Sequence, residues 1–160
     1  MKSAFILVAL LLAPQVASAQ SLNDTMALKG LTSVKMICDV NVGDPAALLR
    51  RLELIDETYT QLVDAGITPI IVIAFRGPAT NYVTQGDGYV PAEHLKTKKE
   101  IQGLIGQFHE NGFILEQCAI AARAQKVAYK DILPKITVVQ NGYVSLVAYQ
   151  NKGYALLPMD

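Results

Sequence analysis

Thr68-Pro69-Ile70-Ile71-Val72-Ile73-Ala74-Phe75 is a run of eight residues whose one polar side chain stands first. A half-buried strand would alternate apolar and polar residues, whereas a short, continuous apolar run rich in β-branched side chains marks a strand covered on both faces, as in a parallel sheet. Upstream, Ser33 to Val42 reads as a second strand of the same kind, ending at Gly43. Between the two, Asp44-Pro45 opens a helix, with Asp44 as N-cap and Pro45 at the first position, where its missing N–H costs nothing. Leu48, Leu52, Ile55, Tyr59 and Leu62 then form one apolar helical face that stops at Gly66. The three segments make a β-α-β unit.

Downstream, Arg76-Gly77-Pro78 ends the strand, and residues 79–95 form a long irregular connection of the kind often given to function. Thr97-Lys98-Lys99-Glu100 fits a capping box, so the next helix is expected to start there and close at Asn111-Gly112. Phe113 to Gln117 reads as the third strand, Ala119 to Gln125 as a helix, Ile136 to Gln140 as the fourth strand, Gly142 to Asn151 as a helix and Tyr154 to Leu157 as a last short strand. Alternation of this sort predicts an α/β fold, a three-layer α/β/α sandwich on a mainly parallel five-stranded sheet.

The first nineteen residues read as a cleavable signal peptide. Lys2 precedes an apolar run from Ala4 to Ala13, and Ala17-Ser18-Ala19 is the small-x-small pattern of a cleavage site, predicting a cut after Ala19. The run falls short of the roughly 20 residues that span a bilayer, and no later segment replaces it. The expected organisation is a signal peptide over 1–19, a polar, mobile lead-in over 20–32 and one domain over 33–160, periplasmic or secreted and with no membrane attachment after cleavage. Without Lys2, 13 basic residues face 14 acidic ones, so no basic field invites nucleic acid.

In open α/β sheets, ligands gather at the carboxyl ends of the strands, which singles out Arg76, the 79–95 loop, Cys118 and Gln140-Asn141. Cys118 stands where a buried strand stops and a helix starts. A thiol there meets the positive end of the helix dipole, which stabilises thiolate over thiol. The plain alternative is a small buried apolar residue. Arg76, just past the second strand, is the candidate to hold a sulfur anion or an anionic ligand, or else a solvated strand-end arginine. His94 is a candidate base for Cys118 or an exposed loop residue; His109 reads as surface; Tyr82, Tyr89, Tyr143, Tyr149 and Tyr154 are candidates to line a pocket or a subunit interface, or else ordinary scattered tyrosines. Cys38 reads as core within the first strand, with a disulfide to Cys118 left open. The sequon at Asn23 matters only in a eukaryotic secretory pathway. Gly86-Asp87-Gly88 lacks the spacing of a nucleotide loop, and the cysteines and histidines lack zinc-ligand spacing.

Three stretches carry a resemblance to a known family: Gly112-Phe113-Ile114-Leu115-Glu116-Gln117-Cys118-Ala119, Leu133-Pro134-Lys135-Ile136-Thr137-Val138-Val139 and Tyr149-Gln150-Asn151-Lys152-Gly153-Tyr154-Ala155. With these, the span from Ser33 to Pro158 resembles the DsrE/DsrF-like family of small sulfur-relay proteins, in an exported variant. The resemblance implies a five-stranded parallel α/β/α fold, assembly into homo-oligomers and a sulfur-donor or acceptor protein as partner. It also implies that Cys118 corresponds to the cysteine that accepts sulfur as a persulfide and hands it on. Neither residues nor resemblance call for a cofactor or metal. The alternative function is a non-catalytic oligomeric module binding a small ligand or partner, with Cys118 structural; a disulfide sensor built on Cys38 and Cys118 is a third.

Overall fold

Strands that are apolar on both sides must be covered on both sides, and the chain meets that demand unevenly. The computed structural model describes residues 22–160, so the expected signal peptide and its cut lie outside the described residues. The chain divides into two compact units at Gly30 and Leu31. Within the first, the expected lead-in carries a single helical turn, α1 (Thr25–Leu28), started by the Asn23 side chain accepting from the Thr25 N–H.

The second unit holds the strands β1 (Ser33–Val40), β2 (Thr68–Phe75), β3 (Ile114–Cys118), β4 (Thr137–Val139) and β5 (Ala155–Met159), with the helices α2 (Pro45–Asp64), α3 (Leu95–Glu110), α4 (Ala119–Ala124) and α5 (Gly142–Asn151) between them. All strand pairs are parallel, in the order β4-β3-β2-β1-β5. The fold is a three-layer α/β/α sandwich around a five-stranded parallel sheet. Asp44 caps α2 as read, accepting from the Ala47 N–H at 2.8 Å.

The chain steps outward from β1 to β4, one strand at a time, and its helices pack on one face over Cys38, Ile73, Phe75 and Leu115. To reach β5, on the far side of β1, it must turn back across the sheet. A right-handed crossover in that reversed direction lies on the opposite face. There α5 packs across β1, β2, β3 and β5, and Leu146 meets Ile37, Val72 and Ala74.

The 79–95 stretch is more ordered than its sequence suggests. Three short 3₁₀ turns, Gly77–Val83, Asp87–Tyr89 and Ala92–His94, fill most of it. The last runs straight into α3, so that helix starts at Leu95 and not at the expected Thr97 box; His94 is its N-cap residue and makes no side-chain cap bond. Lys98, within the expected capping box, is buried. Its ammonium donates to Thr84 Oγ1 at 2.8 Å and to the Gly86 carbonyl, which pins the loop against α3. Tyr89 reaches Asp131 at 2.5 Å, and a bridge between Thr84 and Ile132 ties the loop to the segment before β4.

The disulfide left open by the sequence is absent; both cysteines are free and buried. In the sheet register Cys38 aligns with Ile73, and Ile73 with Leu115, so Cys38 lies two strands away from Cys118 and on the other face. Two strand spacings of roughly 4.8 Å already exceed the roughly 7 Å that a bridge allows. The disulfide-sensor reading falls with it.

Burial pushes the Cys38 thiol up to about 12, above the ordinary value of about 8.5. A folded-state value above the unfolded one gives stability that is whole below the unfolded value and is lost as pH rises toward the folded one. Stability is therefore expected to fall more steeply from pH ~8.5 to ~10 in the wild type than in Cys38→Ala, measured by urea midpoints. Equal slopes would show that Cys38 ionises as freely folded as unfolded.

Candidate functional site

The site follows from where the crossovers part. The connection leaving β3 goes to one face through α4, and the one leaving β4 goes to the other through α5. Between the carboxyl ends of two such strands a crevice opens, the switch point at which α/β sheets hold ligands. Cys118 is the last residue of β3 and the N-cap residue of α4, and its register partner Val139 ends β4. The structure thus places Cys118 at the crevice, only 4 % exposed.

The N–H that reaches its sulfur comes from an unexpected quarter. Gly142, the first residue of α5, donates to Cys118 Sγ at 3.2 Å, whereas the sequence pointed to α4 as the source of donors. Asn141 caps α5 by accepting from the Tyr143 N–H at 3.0 Å. The approach of α5 depends on the missing side chain of Gly142: a Cβ there would stand 2.7 Å from Arg76 Cδ and 3.0 Å from Cys118 Cβ. Glycine lets backbone approach where no other residue fits. The same N–H is placed to donate to an anionic sulfur at this position, a stronger acceptor than a neutral one.

Arg76 comes to the site as expected, but not with a charge to spare. Its Nε donates to Asp39 Oδ1 at 2.6 Å and its Nη2 to Asp39 Oδ2 at 2.5 Å, a two-point ion pair between the ends of β2 and β1. Its guanidinium carbon lies 4.1 Å from the centre of the Tyr143 ring. The hydrogen bonds to Asp39, against burial, raise the guanidinium further above its ordinary value. A residue expected to hold an anion already holds one, from its own chain.

Arg76, Cys118 and Tyr143 line a cleft of about 400 Å³ that also takes in Asn41, Pro78, Ile120 and Ala124. His94 is not among its lining residues; its Nδ1 lies 3.1 Å from the Tyr82 hydroxyl. His109 is exposed on α3, as read. The 3₁₀ loop reaches the site at its start through Gly77 and Pro78. Buried Gln117 anchors that start, donating to Thr80 Oγ1 and to the Cys118 carbonyl, each at 2.9 Å. Beneath α5, Glu116 accepts from the Tyr149 hydroxyl at 3.1 Å, and burial first, then the Glu116 charge, push that hydroxyl up to about 12.

Sequence reasoning missed Asp39 and Gly142, and it gave Tyr143 only as one of five tyrosines that could line a pocket or an interface; Tyr143 lines the cleft. Asp39 had a signal, a carboxylate inside the apolar stretch Met36 to Val40, which calls for a partner. Gly142 had none, because its role arises only when α5 crosses the sheet. Among the described residues no group of histidine, cysteine and acidic side chains is arranged to hold a metal ion, and no helix is long and apolar enough to cross a membrane.

Gly142→Ala is expected to destabilise the fold by about 1–3 kcal/mol, the usual cost of forcing a methyl group into a packed site, read as a lower urea midpoint at unchanged slope. Gly103→Ala, where a Cβ meets nothing within 4 Å, is the control. If both variants behave alike, the close approach of α5 is not a constraint.

No family model matches the chain. An uncharacterised protein of Aquifex aeolicus (strain VF5) is 28% identical over 126 residues, covering 78% of this chain and 56% of that protein. The chain thus spans about half the length of the curated relative it matches. The solved structure of the protein of unknown function MTH1491 from Methanobacterium thermoautotrophicum is similar with a TM-score of 0.62 at 16% identity, covering 78% of this chain and 98% of that one. At that identity the likeness bears on the fold alone, and the fold it supports is the α/β sandwich described above.

Proposed function

We propose that this chain is an exported, DsrE-like sulfur carrier that accepts a sulfane sulfur on Cys118 and hands it on. The observation that carries the reading is the position of Cys118 Sγ at the switch-point crevice, under the Gly142 N–H. The chemistry needs no external oxidant. The Cys118 thiolate attacks the outer sulfur of a donor R–S–SH; that sulfur's bond to R–S breaks as the new S–S bond forms, and R–S⁻ leaves and takes up the proton released by the thiol. The product is the Cys118 persulfide. Discharge is the same step in reverse, with an acceptor thiolate attacking the outer sulfur.

Assembly of copies of this chain, implied by the resemblance, would use the outer side of α5. Tyr143, Val144 and Val147 are each at least 60 % exposed there. No charged residue lies between Lys135 and Lys152, so two such surfaces meet without like-charge repulsion. Through Tyr143 this surface is continuous with the rim of the Cys118 cleft.

The alternative of a binding module with a structural Cys118 is favoured by the burial of that residue, and one experiment separates the two. After incubation with a persulfide or polysulfide donor, intact-mass and peptide mass spectrometry should find an addition of about 32 Da on Cys118, absent from Cys118→Ser. No addition in wild type, or the same addition in Cys118→Ser, would sink the sulfur-carrier reading. For assembly, Val147→Glu is expected to lower the mass seen by light scattering to that of a single chain; a wild type that is already a monomer would sink that part.

A further inference from the structure

Among the described residues lining the Cys118 cleft, Arg76 is the only one with a charged side chain. Most of its charge is already answered within the chain. Asp39 takes two of its nitrogens, Tyr143 covers a face of the guanidinium, and the residue is 8 % exposed. The pair is neutral as a unit. An anion entering the cleft meets a guanidinium whose charge Asp39 already balances through Nε and Nη2, so it gains only what the N–H groups of Nη1 offer; a full ion pair would require it to displace Asp39 and leave that carboxylate unpaired, which is costly. A cation fares no better, since Asp39 is equally committed to Arg76. What remains of the wall is the ring of Tyr143, the apolar surfaces of Pro78, Ile120, Ala121 and Ala124, and one uncharged polar side chain, Asn41.

We propose that the cleft selects uncharged, apolar or aromatic sulfur compounds, so that the sulfur donor or acceptor reaching Cys118 presents a neutral organic group and not an anion such as an inorganic oxo-sulfur species. The proposal rests on the reading of Cys118 as a sulfur acceptor, but its selectivity is measurable without any sulfur transfer. The Arg76–Asp39 pair acts in it as a filter: it supplies a polar wall that keeps its shape while offering no net charge. Burial of an aromatic or alkyl group against Tyr143 and Ile120 provides the favourable term, and an unpaired ion in the same place the unfavourable one.

Charged and neutral thiosulfonates provide the test, because each transfers its R–S group to a thiolate and releases a sulfinate, whatever R carries. The folded protein is treated with benzyl, sulfonatoethyl and trimethylammonioethyl methanethiosulfonate. The rate at Cys118, followed by peptide mass spectrometry, is divided by the rate on a free small thiol. The benzyl reagent is expected to exceed both charged reagents by at least about tenfold. A sulfonatoethyl rate equal to or above the benzyl rate would overturn the proposal, as would a Cys118 that none of the three labels in the folded state.

Asp39→Asn keeps the shape and releases the Arg76 charge. It should raise the sulfonatoethyl rate relative to benzyl severalfold, and an unchanged ratio would overturn the filter. The two readings of the site fail separately. Selective benzyl labelling without any persulfide adduct leaves the selectivity and removes the sulfur carrier, whereas adducts formed equally from anionic and neutral donors do the reverse.

Discussion

The handedness of one connection organises this protein. Parallel strands can be joined only by crossovers, and crossovers in such sheets are right-handed, so a chain that walks from β1 to β4 and then returns to β5 has to change faces on the way back. That change sends α5 over a face which the other helices leave bare. It also separates the connections of β3 and β4, and the gap between them is the crevice that receives Cys118. Core, site and outer surface all follow from this single reversal.

Around the crevice, close contact is made by backbone and by a satisfied ion pair. Gly142 brings the first turn of α5 against both Arg76 and Cys118, and Arg76 in turn ties the end of β2 to β1 through Asp39. A buried ion pair contributes little net stability compared with well-packed apolar groups, but removing one partner strands the other. The pair therefore serves geometry more than stability. It fixes the guanidinium as a wall, and Tyr143 rests on it.

Much of the fold was legible because its signals are local. The apolar run from Thr68 to Phe75 is β2 with the expected bounds, Asp44-Pro45 starts α2, and Gly142 to Asn151 is α5. What the sequence did not reveal depends on register and strand order. Asp39 and Arg76 are far apart along the chain and meet because Asp39 aligns with Ala74, two residues before Arg76. The Thr97 box misled because the 3₁₀ turn ending at His94 flows into α3 without a break, and the burial of Lys98 had no local signal, since its ammonium turns inward to a carbonyl and a hydroxyl of the preceding loop. Cys118 could be placed at a strand end from sequence, but the donor to its sulfur lies 24 residues away.

The placement of β5 bears on how the domain opens. β5 is an edge strand, hydrogen-bonded only to β1, and α5 leads directly into it. Native proteins come apart in cooperative pieces, with peripheral supersecondary units opening at lower free energy than the core. Here α5 and β5 form such a piece, and Gly142 travels with it. A local excursion of that piece would uncover the sulfur of Cys118 without parting β1 to β4 from one another. Any such opening takes the Gly142 N–H from the Cys118 sulfur and Tyr143 from the cleft together, since both residues belong to α5.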